Sequence, residues 1–520
     1  MSIHTLPDIL RYHAQTRGEK QALVNAEDGR SWTFRELDAD ANRAAAALAA
    51  AGVGNQDRIA FLDKNVPEYF IYLYGGAKLG AVTVAVNWRL APPEIQYILD
   101  NSEAKVLVIG TEFLGLLNRL NLEAMETIVV LGDAGDSGHR TFEQWLSGHA
   151  DDDPGVTIEP GATCYQLYTS GTTGLPKGVE LTHDNFLGLL EEGHNLYRMS
   201  ESTVNLVCMP LFHIAGSGWG VVGQYFGART VILRDVDVPL ILKLIPAQRV
   251  THAMFVPAVL QFMLEAPGID AIDFDSLELI LYGASPITEE VLIRAMDTFR
   301  CDFMQGYGLT ETTGVGTLLP PEDHDPGGPR AHLLRSCGRP PPGTELKIVD
   351  TDTGGSQADG EVGEIWIRGR HNMKGYWRDP DATRETLTED GWLRTGDAGY
   401  LKDGYLFIHD RVKDMIISGG ENIYPAEVEN ALMKHPGIAD AAVIGVPSER
   451  WGETVKAIVT RKDADLTEEA IIEHCRQHLA SYKCPTSVDW MAAIPRNPSG
   501  KILKKDLRVP YWEGQSRGVS

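Results

Sequence analysis

The sequence predicts an α/β protein, with a large N-terminal domain of layered α/β sheets, a small β-rich subdomain and a compact α+β unit at its C-terminal end. Three observations predict it. Helical and strand patterns alternate over the first 110 residues and again from about residue 204 to 282, which is the signature of sheets with helices on their faces. From Gly343 to His409 the pattern changes to short strands punctuated by Gly and Asp turns. A chain of 520 residues is also too long for one ordinary core, so two or three domains are expected.

The elements follow in order. Thr33-Phe34-Arg35-Glu36 has the capping-box spacing, and the Ala-rich helix that it opens stops near Gly52. A strand at Arg58–Leu62, a helix opening at Pro67, a strand at Val82–Val86, a helix opening at Pro92 and a strand at Lys105–Ile109 come next. Cys164 to Tyr168 is an apolar run that reads as a strand, and Val204–Met209, Thr230–Leu233, His252–Val256 and Leu277–Tyr282 are further strands. Beyond Lys413 the spacing predicts a helix near Pro425, strands near Ala441–Val446 and Thr454–Val459, a helix near Thr467–Leu479 and a closing strand.

Composition narrows the function classes. A net charge of −25 argues against nucleic acid as a partner, because binding a phosphate backbone needs a basic surface. It leaves nucleotide binding open, since that depends on local charge. Six cysteines are scattered without a Cys-x-x-Cys pair, which suits a reducing compartment and offers no zinc site. The N-terminus shows no basic segment followed by an apolar run, and the apolar stretch from Leu73 to Val86 is broken by Lys78 and glycines. The expectation is a soluble cytoplasmic protein without a transmembrane segment, with peripheral membrane contact left open.

The densest chemical signal is Thr169-Ser170-Gly171-Thr172-Thr173-Gly174-Leu175-Pro176-Lys177-Gly178. Such a loop brings backbone N–H groups, hydroxyls and one ammonium around a polyphosphate. It is not a Gly-Lys-Ser/Thr P-loop, because Pro176 precedes the lysine and Gly178 follows it. Taken alone it reads equally well as a surface turn. Three further stretches change that balance: Gln305-Gly306-Tyr307-Gly308-Leu309-Thr310-Glu311-Thr312; Gly391 to Asp397 followed by Asp410-Arg411-Val412-Lys413-Asp414; and Pro495-Arg496-Asn497-Pro498-Ser499-Gly500-Lys501.

Together the four motifs, in this order, resemble the adenylate-forming superfamily of acyl-CoA synthetases, peptide-synthetase adenylation domains and luciferases. The resemblance runs from about Leu6 to Arg508 and is greatest to bacterial fatty-acyl-CoA synthetases. It implies a nucleotide- and acyl-binding domain over residues 1–412 and a mobile lid domain over 413–520, whereas the sequence alone places the boundary anywhere from about 400 to 425. It also implies ATP, Mg²⁺ and coenzyme A as co-substrates and cofactor, a small carboxylic acid as substrate, and allows a homodimer.

The resemblance assigns roles residue by residue. Thr169 to Gly174 and Lys177 would wrap the β- and γ-phosphates, and Thr172 and Glu311 would hold Mg²⁺, a hard cation that prefers oxygen ligands. Tyr307 would pack against adenine, with Gly283-Ala284-Ser285 lining the other face and Gln305, Gly306, Gly308 and Thr310 completing the pocket. Asp397 would accept from both ribose hydroxyls, and Arg411 would add a second contact. Lys501 would bridge carboxylate and α-phosphate as the principal catalytic cation. Lys413 would be the pivot of the lid, with Gly419 and Gly420 lining the pantetheine tunnel and Trp451 beside it. His213 would form a wall or gate of the acyl pocket.

An apolar acid is expected, because no Arg or Lys stands in the sequence near Phe212 to Trp219, where a second carboxylate would need pairing. The resemblance favours a medium- to long-chain fatty acid joined to CoA, with aryl or steroid and terpenoid side-chain acids, or an acyl-AMP ligase that loads a carrier protein, as the alternatives. Gly216, Gly218 and Gly220 are read as leaving room for the acyl group. Arg450, Lys456 and Lys483 are the candidates for the phosphates of CoA, and the chain carries Cys484 where some relatives carry another basic residue.

Overall fold

The computed structural model describes residues 3–513 except 170–174, 193–194, 352, 412–413, 419–420, 449 and 497–501; at 191–192, 409–411, 417 and 421–422 only the backbone is described. The chain forms two compact units, one of residues 1–345 and 367–393, the other of 346–366 and 394–520.

The first unit carries two eight-stranded sheets. One contains Thr163–Thr169, Val82–Ala85, Arg58–Leu62, Val106–Gly110 and Thr127–Leu131 as parallel neighbours in that order, which the intervening helices require. At its edge Lys177–Thr182 turns back antiparallel on Thr163–Thr169, and the two-residue strand Gly375–Tyr376 pairs antiparallel with it. The other sheet runs parallel through Asp302–Tyr307, Leu279–Gly283, His252–Phe255, Val204–Val207, Arg229–Ile232 and Gln21–Asn25, with antiparallel Thr317–Leu319 and Ser31–Thr33 at its two edges.

Local chemistry fixes the helices. Thr33 Oγ1 accepts from Glu36 N at 3.2 Å while Glu36 Oε2 accepts from Thr33 N at 2.8 Å, so the capping box opens Phe34–Ala50 as its spacing predicts. Helix Glu68–Lys78 is buried on every side, which explains its nearly continuous apolar sequence. Lys78 ends it fully buried, and its ammonium is held by Asp38 at 2.7 Å and Asp153 at 2.9 Å. One core joins both sheets through this helix and Ile214–Tyr225, with Phe70, Trp219, Val207, Leu281, Leu167 and Phe61 among its members.

In the second unit a five-stranded sheet is built on the long hairpin Ile438–Ser448 and Gly452–Arg461. Ser487–Trp490, the predicted closing strand, pairs parallel with Gly452–Arg461. Helices Pro425–Leu432 and Glu468–Arg476 cover one face and Lys504–Trp512 the other. The β-rich segment supplies a four-stranded sheet of Glu345–Val349, Gly363–Arg368, Leu393–Lys402 and Tyr405–Arg411. All six cysteines are free thiols. No helix among the described residues is long and apolar enough to cross a membrane.

Candidate active site

In the first unit, the predicted residues gather where parallel strands end, the place where open α/β sheets bind ligands. Gly283 closes Leu279–Gly283 and lies in register with Gly306 on Asp302–Tyr307. A Cβ on Gly283 would stand 2.1 Å from Gly306 O, so the close backbone approach itself demands glycine there. Gly306 is different: its nearest neighbours would be Leu318 and Leu281 at 3.6 and 3.7 Å, which is ordinary contact. Ala284 follows with a left-handed φ of 64°, turning the chain away from the strand end. Gly308 is again a packing requirement, because a Cβ would sit 2.5 Å from the backbone of Gly314 and Val315.

Thr310–Thr312 forms a single 3₁₀ turn after Tyr307, locked by Leu309 N donating to Thr312 Oγ1 at 2.9 Å. Thr313 Oγ1 donates to His371 O at 2.7 Å, and Met373 N donates to Glu311 O at 2.7 Å. The turn that carries Glu311 is thereby tied to the segment that leads into Gly375–Tyr376. Tyr376 then meets Glu311 directly: its hydroxyl donates to Glu311 Oε1 at 2.8 Å. The same ring lies under Lys177, whose Nζ is 5.0 Å from its centroid. Desolvation, followed by the negative charge of Glu311, pushes the phenol's pKa well up, so it stays a protonated donor.

Lys177 opens the second strand of the hairpin and pairs with Thr169, the last described residue before the glycine-rich loop. The glycine-rich segment therefore connects two antiparallel strands. Ser170, Gly171, Thr172, Thr173 and Gly174 lie outside the described residues.

His213 is the N-cap of Ile214–Tyr225, with Nδ1 accepting from Ala215 N at 3.1 Å. Its pKa is lowered by burial, and protonation would also remove the capping acceptor and place a cation at a helix N-terminus. The glycines of that helix do not leave room as expected. A Cβ on Gly216 would lie 2.3 Å from Met209 O, and one on Gly220 would lie 2.4 Å from Phe70 Cζ. Both are packing glycines, whereas Gly218 is less crowded, its nearest neighbour being the Ile214 side chain at 3.2 Å. Trp219 is buried edge-on to Tyr197, with centroids 5.8 Å apart. The fold also brings a cation that local sequence reading missed. Arg89, far away in the chain, has its guanidinium 5.7 Å from the Phe212 ring and 4.7 Å from that of Trp88, and it pairs with Asp235 at 3.6 Å.

In the second unit, Asp397 on Leu393–Lys402 stands directly across the antiparallel ladder from Arg411 on Tyr405–Arg411. Thr395 Oγ1 donates to Ile365 O at 2.7 Å and accepts from Asp397 N at 3.1 Å, which fixes the turn before Asp397. Trp451 projects from the tip of the long hairpin, 47% exposed, with the Arg450 guanidinium 4.5 Å from its ring. Two of the three basic residues considered for CoA already have carboxylate partners: Lys456 with Asp489 at 2.8 Å, and Lys483 with both oxygens of Glu427 at 2.8 Å. Lys413, Gly419, Gly420 and Lys501 lie outside the described residues, as does the side chain of Arg411.

Among the described residues there is no cluster of three or more His, Cys, Asp or Glu suited to a metal. A lone carboxylate still fits Mg²⁺, which keeps most of its waters and is commonly held by one or two carboxylates together with substrate phosphates. Glu311, with one oxygen fixed and an ammonium nearby, has the chemistry for that role. Sequence reasoning passed over Tyr376. Its signal was slight, a Gly-Tyr pair too short to show strand periodicity.

Comparison with known proteins adds the following. Residues 10–377 match the AMP-binding enzyme family, and residues 427–501 match the AMP-binding enzyme C-terminal domain. The chain is 40% identical over 525 residues to the fatty acid–[acyl-carrier-protein] ligase ScoC of Streptomyces coeruleorubidus, covering 100% of this chain and 98% of that one. It is 37% identical over 504 residues to the long-chain-fatty-acid–CoA ligase FadD13 of Mycobacterium tuberculosis, covering 97% and 98% of the two chains. Among solved structures, ATP-bound MatB from Rhodopseudomonas palustris superposes with a TM-score of 0.88 at 28% identity, covering 98% of this chain and 99% of that chain.

Proposed function

The chain belongs to the AMP-binding enzyme family, and from that premise we propose that it is an ATP-dependent, AMP-forming ligase that joins an apolar carboxylic acid to the thiol of coenzyme A. A medium- to long-chain fatty acid is the preferred substrate. The observation that carries the reading is the grouping of Lys177, Tyr376 and Glu311 at the edge of the hairpin that bears the glycine-rich loop.

A carboxylate is a poor acyl donor. Its oxygen attacks the α-phosphorus of ATP, the bond from that phosphorus to the bridging oxygen breaks, and pyrophosphate leaves. Both reactants are anions, so the protein must offer positive charge to the phosphates, and Lys177 and Lys501 supply it. Mg²⁺, when bound, neutralises phosphate charge beside Glu311. Gly306 leaves a flat face for adenine beside Tyr307, and Asp397 accepts from the ribose hydroxyls. In the second half-reaction the thiol sulfur attacks the acyl carbonyl, its proton is lost to solvent, and AMP departs with the C–O bond electrons. Lys413 would serve as the pivot that clears Lys501 from the path of the thiol. Residues 1–412 and 413–520 would be the two bodies that move.

A second acceptor has specific support. The likeness to ScoC and the commitment of Lys456 and Lys483 to ion pairs both favour a thiol borne by an acyl carrier protein, which needs fewer contacts to a nucleotide end. The test is AMP release by purified protein with ATP and Mg²⁺ across C4 to C18 fatty acids, benzoates and cinnamates, each with CoA or with phosphopantetheinylated carrier protein. Release that requires CoA and peaks with fatty acids of intermediate to long chain supports the reading. Release that requires the carrier protein supports the second acceptor, and silence with every acid contradicts both.

A further inference from the structure

Tyr376 sits on a strand of only two residues, yet it is held from several sides. Trp377 N donates to Gly178 O at 2.7 Å and Lys374 N to Glu180 O at 3.0 Å, which ties Gly375–Tyr376 to the strand that begins with Lys177. The Trp377 indole donates to Asn101 O at 3.0 Å, and its ring lies under the buried Arg58 guanidinium, 3.3 Å from carbon to centroid. Arg58 is in turn paired with Glu180 at 2.9 Å, and Arg378 forks onto both oxygens of Glu103 at 2.6 and 2.7 Å. Tyr376 N donates to Thr383 Oγ1 at 2.9 Å. A side chain anchored in this way sits on a rigid element, which is what precise placement of a ligand group requires.

From that platform Tyr376 does two things. Its hydroxyl makes the only side-chain hydrogen bond to the Glu311 carboxylate among the described residues, and it takes Oε1, leaving Oε2 without one. Its face receives Lys177. We propose that Tyr376 is a positioning residue for the metal–triphosphate: the hydroxyl sets the rotamer of Glu311 so that Oε2 is presented to Mg²⁺, while the ring holds the Lys177 ammonium. The inference rests on the ATP-dependent reading above, and it separates one side chain into two functions that conservative substitutions can divide.

The test is binding, not turnover. Mn²⁺, used as a paramagnetic stand-in for Mg²⁺, is titrated by electron paramagnetic resonance into the full-length protein with ATP, and ATP affinity without metal is measured by fluorescence of a labelled analogue. Tyr376→Phe keeps the ring and loses the hydroxyl. It is expected to weaken Mn²⁺ binding to the ATP complex by about tenfold, the size of one hydrogen bond to a charged group, with metal-free ATP affinity within about twofold of the parent. Tyr376→Leu should add a loss of metal-free ATP affinity, because the seat of Lys177 goes as well. Glu311→Gln should weaken Mn²⁺ at least as much as Tyr376→Phe, and the double variant should be no worse than Glu311→Gln alone. Unchanged Mn²⁺ affinity in a folded Tyr376→Phe protein, or full additivity in the double variant, would overturn the proposal. A parent protein that binds ATP without any metal dependence would overturn the metal role of Glu311 first.

Discussion

His213 Nδ1 accepts a hydrogen bond from Ala215 N at 3.1 Å, so the histidine that opens the Phe212-His213-Ile214 stretch is the cap of the helix that follows it. Two roles thus fall on one imidazole. Its Nδ1 caps the first turn of Ile214–Tyr225, and in the proposed function its ring would also form a wall of the acyl pocket. A cap of this kind contributes about 1 kcal/mol. We expect His213→Ala to lower the melting temperature by a few degrees and His213→Asn, a good capping residue, to restore it. The acid KM should be raised in both. Recovery of acid affinity with Asn would instead make the histidine purely structural.

Gly283 and Gly306 face each other in register but answer to different demands. Gly283→Ala forces a methyl to 2.1 Å from Gly306 O and has to part the two strands. The expected cost is about 2–4 kcal/mol, seen as a lower denaturant midpoint. Gly306→Ala meets only ordinary contacts and should fold normally, and on the proposed function, in which Gly306 borders adenine, it should raise the KM for ATP several-fold. Equal stability of the two variants would contradict this division.

Much of the architecture was legible because its signals are local. The parallel strands at Arg58–Leu62, Val82–Ala85 and Val106–Gly110 are buried, largely apolar runs between helices that prolines or a capping box announce, and the sequence pattern places them within a residue or two. The antiparallel return at Lys177–Thr182 was not seen, because Val179 and Leu181 are the only two apolar residues of a short run that begins Lys-Gly, too few for their alternation with Gly178, Glu180 and Thr182 to stand out. Tyr376 and Arg89 escaped for another reason. Each matters through a partner remote in the chain, Glu311 for one and Phe212 for the other, and no spacing rule connects such pairs. The packing role of Gly216 and Gly220 was equally invisible, since only the fold shows what stands opposite a missing Cβ.

Acid should destabilise the first unit. Burial lowers the pKa of His13, His183, His252, His324 and His371 from 6.5 to about 4 in each case. Unfolding exposes imidazoles that take up protons at their ordinary pKa, so the unfolded state binds more protons between the two values and stability rises with pH there. This contribution is complete above about pH 6.5 and is lost as pH falls toward 4. Urea midpoints should therefore fall steadily from pH 7 to pH 5. His371→Gln, an uncharged replacement for a buried ring, should flatten part of that slope, and an unchanged slope would remove His371 from the account.

The account turns on which bond the carboxylate makes. With an acid labelled by ¹⁸O in both carboxyl oxygens, ATP, Mg²⁺ and CoA, attack on the α-phosphorus carries one labelled oxygen into AMP, readable by mass spectrometry of the nucleotide. The predicted result is AMP bearing one ¹⁸O for each thioester formed, with none in pyrophosphate. Label in phosphate or pyrophosphate with unlabelled AMP or ADP would mean attack at another phosphorus and would contradict an acyl-adenylate route.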